Sequence, residues 1–169
     1  IQSGRFEPEI IPLLVHETLY LDGKTQSTDT KFCVDEGPRR DTNLEALAKL
    51  PAVFRLGGSV TAGNSSQMSD GAAAAVVMSD RKVHELGLTP MGRLLGYSVT
   101  GVAPELMGIG PITAIPKVLA QVGLTLNDMG LIELNEAFAA QALAVIRKLG
   151  LNEDIVRFIP TSLGVTTAG

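Results

Sequence analysis

Four short stretches of this 169-residue chain hold residue types that could do chemistry. The first is Asn135-Glu136-Ala137-Phe138. An asparagine amide is donor and acceptor at once, so at the junction of a strand and a helix it could fix a water or polarise a carbonyl oxygen. Its plainer role there is N-capping. The second is Val60-Thr-Ala-Gly-Asn-Ser-Ser-Gln-Met-Ser-Asp-Gly71, small and hydroxyl-rich. Such a loop lets backbone amides approach a ligand, or is simply a tight turn before a buried strand. The third, Met107-Gly-Ile-Gly-Pro111, could turn a methionine toward an acyl group or pack it in the core at a helix entry. The fourth, Arg39-Arg40 after the Gly37-Pro38 turn, is the best local pair for a phosphate, although such a pair is ordinarily solvated.

Other reactive types fall in unrelated settings. His16 sits in a strand-like stretch and His84 on a charged helix face, so neither a metal site nor a catalytic pair is expected. The single cysteine, Cys33, excludes an internal disulfide and has no nearby histidine to make it a nucleophile. A net charge of −4 and a pI near 5.2 disfavour nucleic acid and anionic membranes as partners, so a phosphate would have to be held by local groups. The longest apolar run is bracketed by Asp70 and Asp80, far short of the roughly 20 residues that span a bilayer. The first residues lack a methionine and a signal-peptide pattern and read as the interior of something longer. No Gly-x-Gly-x-x-Gly follows a strand, which argues against a dinucleotide oxidoreductase.

The elements that must position these residues change character along the chain. Residues 1–63 read as irregular, with strand-like pieces at 10–15 and 31–34, a polar tract over 23–31, and Asp-Gly and Gly-Pro turn signals. Thr42 with Glu45 predicts a capping box for a short helix stopped by Pro51. From residue 64 the texture is α/β. Residues 71–78, Gly-Ala-Ala-Ala-Ala-Val-Val-Met, predict a strand buried on both faces. A helix over 80–86, capped by Ser79 and stopped by Gly87, precedes a predicted strand over 92–99. A helix over 111–122 follows, with Pro116 expected to confine its regular part to the C-terminal turns. Then come a short strand at 131–134 and a helix over 136–149 whose Phe138, Ala142, Val145, Ile146 and Leu149 share one face.

In this order and at these separations, Val60-Thr-Ala-Gly-Asn-Ser-Ser66, Asp70-Gly-Ala-Ala73, Met107-Gly-Ile-Gly-Pro111 and Asn135-Glu-Ala-Phe-Ala139 closely resemble thiolases, over about residues 4–156. Asn-Ser-Ser-Gln and Ala114-Ile-Pro116 are most similar to the degradative 3-ketoacyl-coenzyme A enzymes, with the acetoacetyl-specific biosynthetic branch a close second. The resemblance implies a partial five-layered α-β-α-β-α fold of class α/β. Residues 1–63 would be the later part of an inserted loop domain, 64–79 the closing helix and strand of the N-terminal half, and 80–156 the start of the C-terminal half. Asn135 matches the asparagine that holds an oxyanion-hole water; Ala62 and Ser66 match the stretch along the pantetheine. Arg39 and Phe54 match contacts to the nucleotide part, and Met107 and Phe138 the lining near the thioester. Coenzyme A is then a substrate, with no cofactor or metal, and the parent enzyme is a homodimer or homotetramer. It would be cytoplasmic in bacteria, and peroxisomal or mitochondrial in eukaryotes. The chain departs from the family in two ways. The nucleophilic cysteine would lie upstream of Ile1, and residues 157–169 diverge where a Gly-His-Pro segment with the catalytic histidine should follow. The implied expectation is a fragment inactive on its own; the rival is a non-catalytic thiolase-like module that binds coenzyme A or lipid.

Overall fold

The structure, a computed structural model, describes residues 3–35, 37–39, 41–69 and 71–159. The chain divides into two compact units, Ile1–Thr42 and Asn43–Gly169. In the first, strand β1 (Leu13–Leu21) pairs antiparallel with β2 (Lys24–Phe32), from Leu21↔Lys24 at the turn to Leu13↔Phe32 at the open end. Asp22 and Gly23 make the turn with φ of 51° and 76°. Two successive positive φ angles fit a type I′ turn, whose twist matches that of the flanking strands and for which Asp-Gly is a preferred pair. The hairpin corrects the expectation of two short strands flanking a polar tract. Lys24–Phe32 is polar, yet rich in Thr and Ser, and every residue of it has a partner on β1. One face carries His16 bonded to Asp29 and Thr18 bonded to Ser27; the other carries Leu13, Val15, Leu19 and Leu21.

The second unit begins with helix α1 (Leu44–Ala48). Its cap is Asn43, whose Oδ1 accepts from Ala46 N at 2.8 Å, and not Thr42 as expected. Helix α2 (Asp80–Leu86) is as predicted: Ser79 caps it, accepting from Lys82 N, and Gly87 stops it at φ 62°. The runs on either side are not. Residues 71–78 are irregular and, apart from half-buried Met78, exposed, with Val76 and Val77 at 86% and 84%. No described strand lies beside them to take their backbone hydrogen bonds. Residues 92–99 are likewise not a strand; they lie along helix α3 (Gly110–Val122). Ser98 Oγ donates to Ala114 O at 2.8 Å, Lys117 Nζ donates to Val99 O at 3.0 Å, and a Cβ on Gly96 would come within 2.7 Å of Val122 Cγ1. Helix α3 runs through Pro116 instead of starting after it. Proline's fixed φ is helical, so the ring costs one backbone bond and a clash that this helix absorbs.

The packed part of the unit is a parallel pair with one helix between its strands: β3 (Ile132–Asn135), α4 (Ala139–Leu149) and β4 (Val156–Ile159). Leu134, Ala142, Val145, Ile146, Leu151 and Val156 are buried together, and Ile112, Ile115, Leu126, Ile132 and Leu149 pack against them. The apolar face predicted for the helix is therefore the one buried. Gly150, at φ 63°, ends α4 in a left-handed cap. Among the described residues no helix is long and apolar enough to cross a membrane.

Candidate functional site

The site is built where β3 ends. Asn135 is the last residue of that strand, and α4 does not start until Ala139, with Phe138 at its N-cap position. Asn135 therefore caps nothing, which removes its plainer role. It is half-buried, and its side chain takes no hydrogen bond among the described residues, so the amide keeps its donors and acceptor for something else.

The three residues after Asn135 meet the hydroxyl-rich loop. Ser66 N donates to Ala137 O at 2.9 Å, and Ser65 and Phe138 form an antiparallel bridge. The ring of Phe138 stands edge-on to Phe54, with centroids 5.7 Å apart at 77°. The loop is held in shape by its own side chains. Asn64 Oδ1 accepts from Thr61 N, Thr61 Oγ1 accepts from Gly63 N, Asn64 Nδ2 donates to Ser59 O and Ser65 Oγ donates to Thr61 O. A Cβ on Gly63 would lie 2.5 Å from Leu47 Cδ2 and 2.8 Å from Leu50 Cδ1, so the loop sits against the region of α1. Ala62 is exposed on the single 3-10 turn Ala62–Asn64. Phe54, Ser66 and Phe138 are thus brought together, with Asn135 three residues from Phe138 and Ala62 four from Ser66.

Met107 lies in the 3-10 turn Pro104–Ile109 and is 74% exposed, so it is not the core methionine of the plainer reading. That turn packs on the start of α4, where a Cβ on Gly108 would meet Gln141 Cγ at 2.7 Å. Gln141 was not singled out by sequence. Its Oε1 is buried without a hydrogen-bond partner among the described residues, and the only signal for it was a polar residue three places after Phe138. Arg39 belongs to the first unit, where its Nε lies 3.6 Å from Asp41 Oδ1; Arg40 and Asp70 fall outside the described residues. His16 pairs with Asp29 and His84 with Asp80, Cys33 is exposed, and no metal-binding group occurs among the described residues. Beside Phe54 a concavity of about 390 Å³ is lined by Phe54, Arg55, Gly57, Gly58, Ser59 and Val60. An amide that can polarise a carbonyl, next to aromatic rings and a bare loop, suits binding and electrostatic stabilisation.

Residues 1–81 match the family described as thiolase, N-terminal domain, and residues 88–165 match thiolase, C-terminal domain. The chain is 50% identical over 150 residues to the acetyl-CoA acetyltransferase of Syntrophomonas wolfei, covering 89% of this chain and 36% of that protein. It is 48% identical over 157 residues to the 3-ketoacyl-CoA thiolase of Bacillus subtilis, covering 92% of this chain and 40% of that one. Among solved structures, human mitochondrial 3-ketoacyl-CoA thiolase in complex with CoA superposes with a TM-score of 0.67 at 38% identity, over 92% of this chain and 36% of that one. The chain thus spans between a third and two-fifths of the length of these relatives.

Proposed function

From the premise that the chain belongs to the thiolase family and carries part of its α/β fold, we propose that it supplies the acyl-binding and coenzyme A-binding side of an acyl-transfer site. The reaction proposed is thiolytic cleavage of a 3-ketoacyl-coenzyme A. A cysteine thiolate adds to the 3-keto carbon, and the bond between C2 and C3 breaks. The electron pair leaves on the acetyl-coenzyme A carbon, which takes a proton, and the thiolate of a second coenzyme A then receives the acyl group.

In this scheme Asn135 holds a water that donates to the keto oxygen as negative charge develops on it, Phe138 and Met107 line the acyl end, and Ala62, Ser66 and Phe54 run along the coenzyme. Arg39 is proposed as a phosphate contact from the first unit. The observation that carries the reading is the state of Asn135: it ends a strand, is half-buried, caps no helix and has no competing side-chain bond. We assign no chemical step to Cys33, His16 or His84, so thiolate and imidazole are proposed to come from polypeptide other than residues 1–156. Residues 1–63, 64–79 and 80–156 are proposed as loop-domain, N-terminal-half and C-terminal-half parts respectively.

The names of the relatives favour a second reading of the same site, condensation or cleavage at acetoacetyl-coenzyme A. One experiment bears on both. Residues 1–156 are joined to the nucleophile-bearing half and the Gly-His-Pro region of a working thiolase, and turnover is measured on acetoacetyl and longer 3-ketoacyl substrates. In the active chimera Asn135→Ala should lower kcat by about 10²-fold with little change in KM, because an oxyanion contact acts mainly in the transition state. An unchanged kcat removes Asn135 from the mechanism. A folded chimera that stays inactive supports the non-catalytic binding module instead.

A further inference from the structure

We infer that Arg55 is a phosphate-reading residue for the nucleotide end of coenzyme A, an assignment that rests on the reading above and adds a residue to it. Arg55 lines the concavity of about 390 Å³ with Phe54, Gly57, Gly58, Ser59 and Val60, and none of these is acidic. Arg39, Lys49, Arg81, Lys82 and Arg93 each pair with a carboxylate; Arg55 does not, and among the described cations without such a partner it is the one that lines this concavity. In a chain of net charge −4 the overall field repels phosphate, so an arginine without a carboxylate partner at the edge of a concavity favours phosphate there.

The loop that carries Arg55 is built to stay bare and fixed. Gly58 N donates to Arg55 O at 2.9 Å, closing a turn through Gly57 at φ 68°. A Cβ on Gly58 would lie 2.9 Å from that same carbonyl, so no side chain can fill the spot. Val53 N bonds to Val60 O, Ala52 bridges Thr61, and Asn64 Nδ2 ties down Ser59 O. Phe54, 74% exposed, is held edge-on by Phe138. Phe54, Arg55 and Ser59 line one concavity, and an aromatic, a guanidinium-bearing and a hydroxyl-bearing residue together suit a phosphorylated aromatic base better than an acyl chain. Coenzyme A offers phosphate at two places, its pyrophosphate and its 3′-phosphate.

The test is calorimetric titration of the full chain and its Arg55→Gln and Arg55→Lys variants with coenzyme A, dephospho-coenzyme A and pantetheine. Arg55→Gln should weaken coenzyme A by about tenfold or more and leave pantetheine unchanged, and Arg55→Lys should recover part of the loss as a point charge without the fork. A matching loss with dephospho-coenzyme A places the contact on the pyrophosphate, and no loss with it places the contact on the 3′-phosphate. Either pattern supports the inference. Equal weakening of pantetheine by Arg55→Gln would show that the arginine only shapes the loop and overturns it. So does unchanged coenzyme A affinity, or a wild-type chain that binds pantetheine as well as coenzyme A, and both leave the functional reading standing. A wild-type chain that binds none of the three overturns that reading and this inference with it.

Discussion

Residues 71–78 and 131–134 both read from sequence as strands, yet only the second is one, observed as Ile132–Asn135. Ile132–Asn135 has Val156–Ile159 paired beside it, and its Leu134 is buried in the core with residues of α4. Residues 71–78 have neither a ladder nor a covered face among the described residues, although four alanines and two valines make them the more uniformly apolar of the two. Composition nominates a strand; a hydrogen-bonding partner and a helix to bury one face decide it. The consequence for function is direct. The residues proposed for chemistry at 135–138 are held by the run that found its partner.

The comparison can be broken most sharply by truncation. Leu134→Ala should remove about 2–5 kcal/mol of unfolding free energy, seen as a lower urea midpoint or loss of the transition altogether. Val76→Ala should stay within about 0.5 kcal/mol, since its side chain is already in water. A cost above about 1 kcal/mol at Val76 would mean that 71–78 is packed after all. A smaller effect is expected where the loop meets the region of α1. Gly63→Ala brings its methyl against the side-chain ends of Leu47 and Leu50, which must give way, and should cost up to about 1 kcal/mol, while Gly92→Ala, with nothing within 4 Å of its Cβ position, should cost less. Equal costs would contradict the seating of the loop.

The smallest effect is electrostatic. Asp128 Oδ2 accepts from Thr125 Oγ1 at 2.7 Å and from Thr125 N at 2.8 Å, and these two bonds hold its carboxyl below the ordinary 3.8. A folded-state value below the unfolded one contributes stability above 3.8 that is lost as pH falls through the lowered value. Thr125→Ala should therefore flatten the acid limb of the stability profile below about pH 4 while leaving its slope near neutrality unchanged. An unaltered acid limb would remove this cap from the account.

Sequence disclosed what depends on local chemistry. Ser79 and Gly87 bound α2, Gly150 ends α4, and the Phe138, Ala142, Val145 period picks out the face that is buried. The group of Phe54, Ser66, Phe138 and Asn135 was legible only through motif order and spacing, because the Ser66 to Ala137 bond and the Phe54 to Phe138 contact join positions far apart in the chain. Three features escaped for physical reasons. The polar strand Lys24–Phe32 is specified by the Asp22-Gly23 turn and its register with β1 and not by hydrophobicity. Asn43 took the cap from Thr42, one residue away, because either side chain can accept from the helix's first amides. Residues 92–99 bond through Ser98 and through the Val99 carbonyl to α3, an arrangement that no periodicity announces.

The central claim is that the strand pair and α4 form the ordered seat of Asn135 and Phe138 while residues 71–78 stand outside it. Residue-resolved amide hydrogen exchange on the full chain tests this most directly. The account predicts the slowest exchange at β3, β4 and the middle of α4, with Val145 and Ile146 among the most protected, and near-unprotected rates across 71–78. Protection at 71–78 equal to that of Ile132–Asn135, or none at β3 and α4, would contradict it.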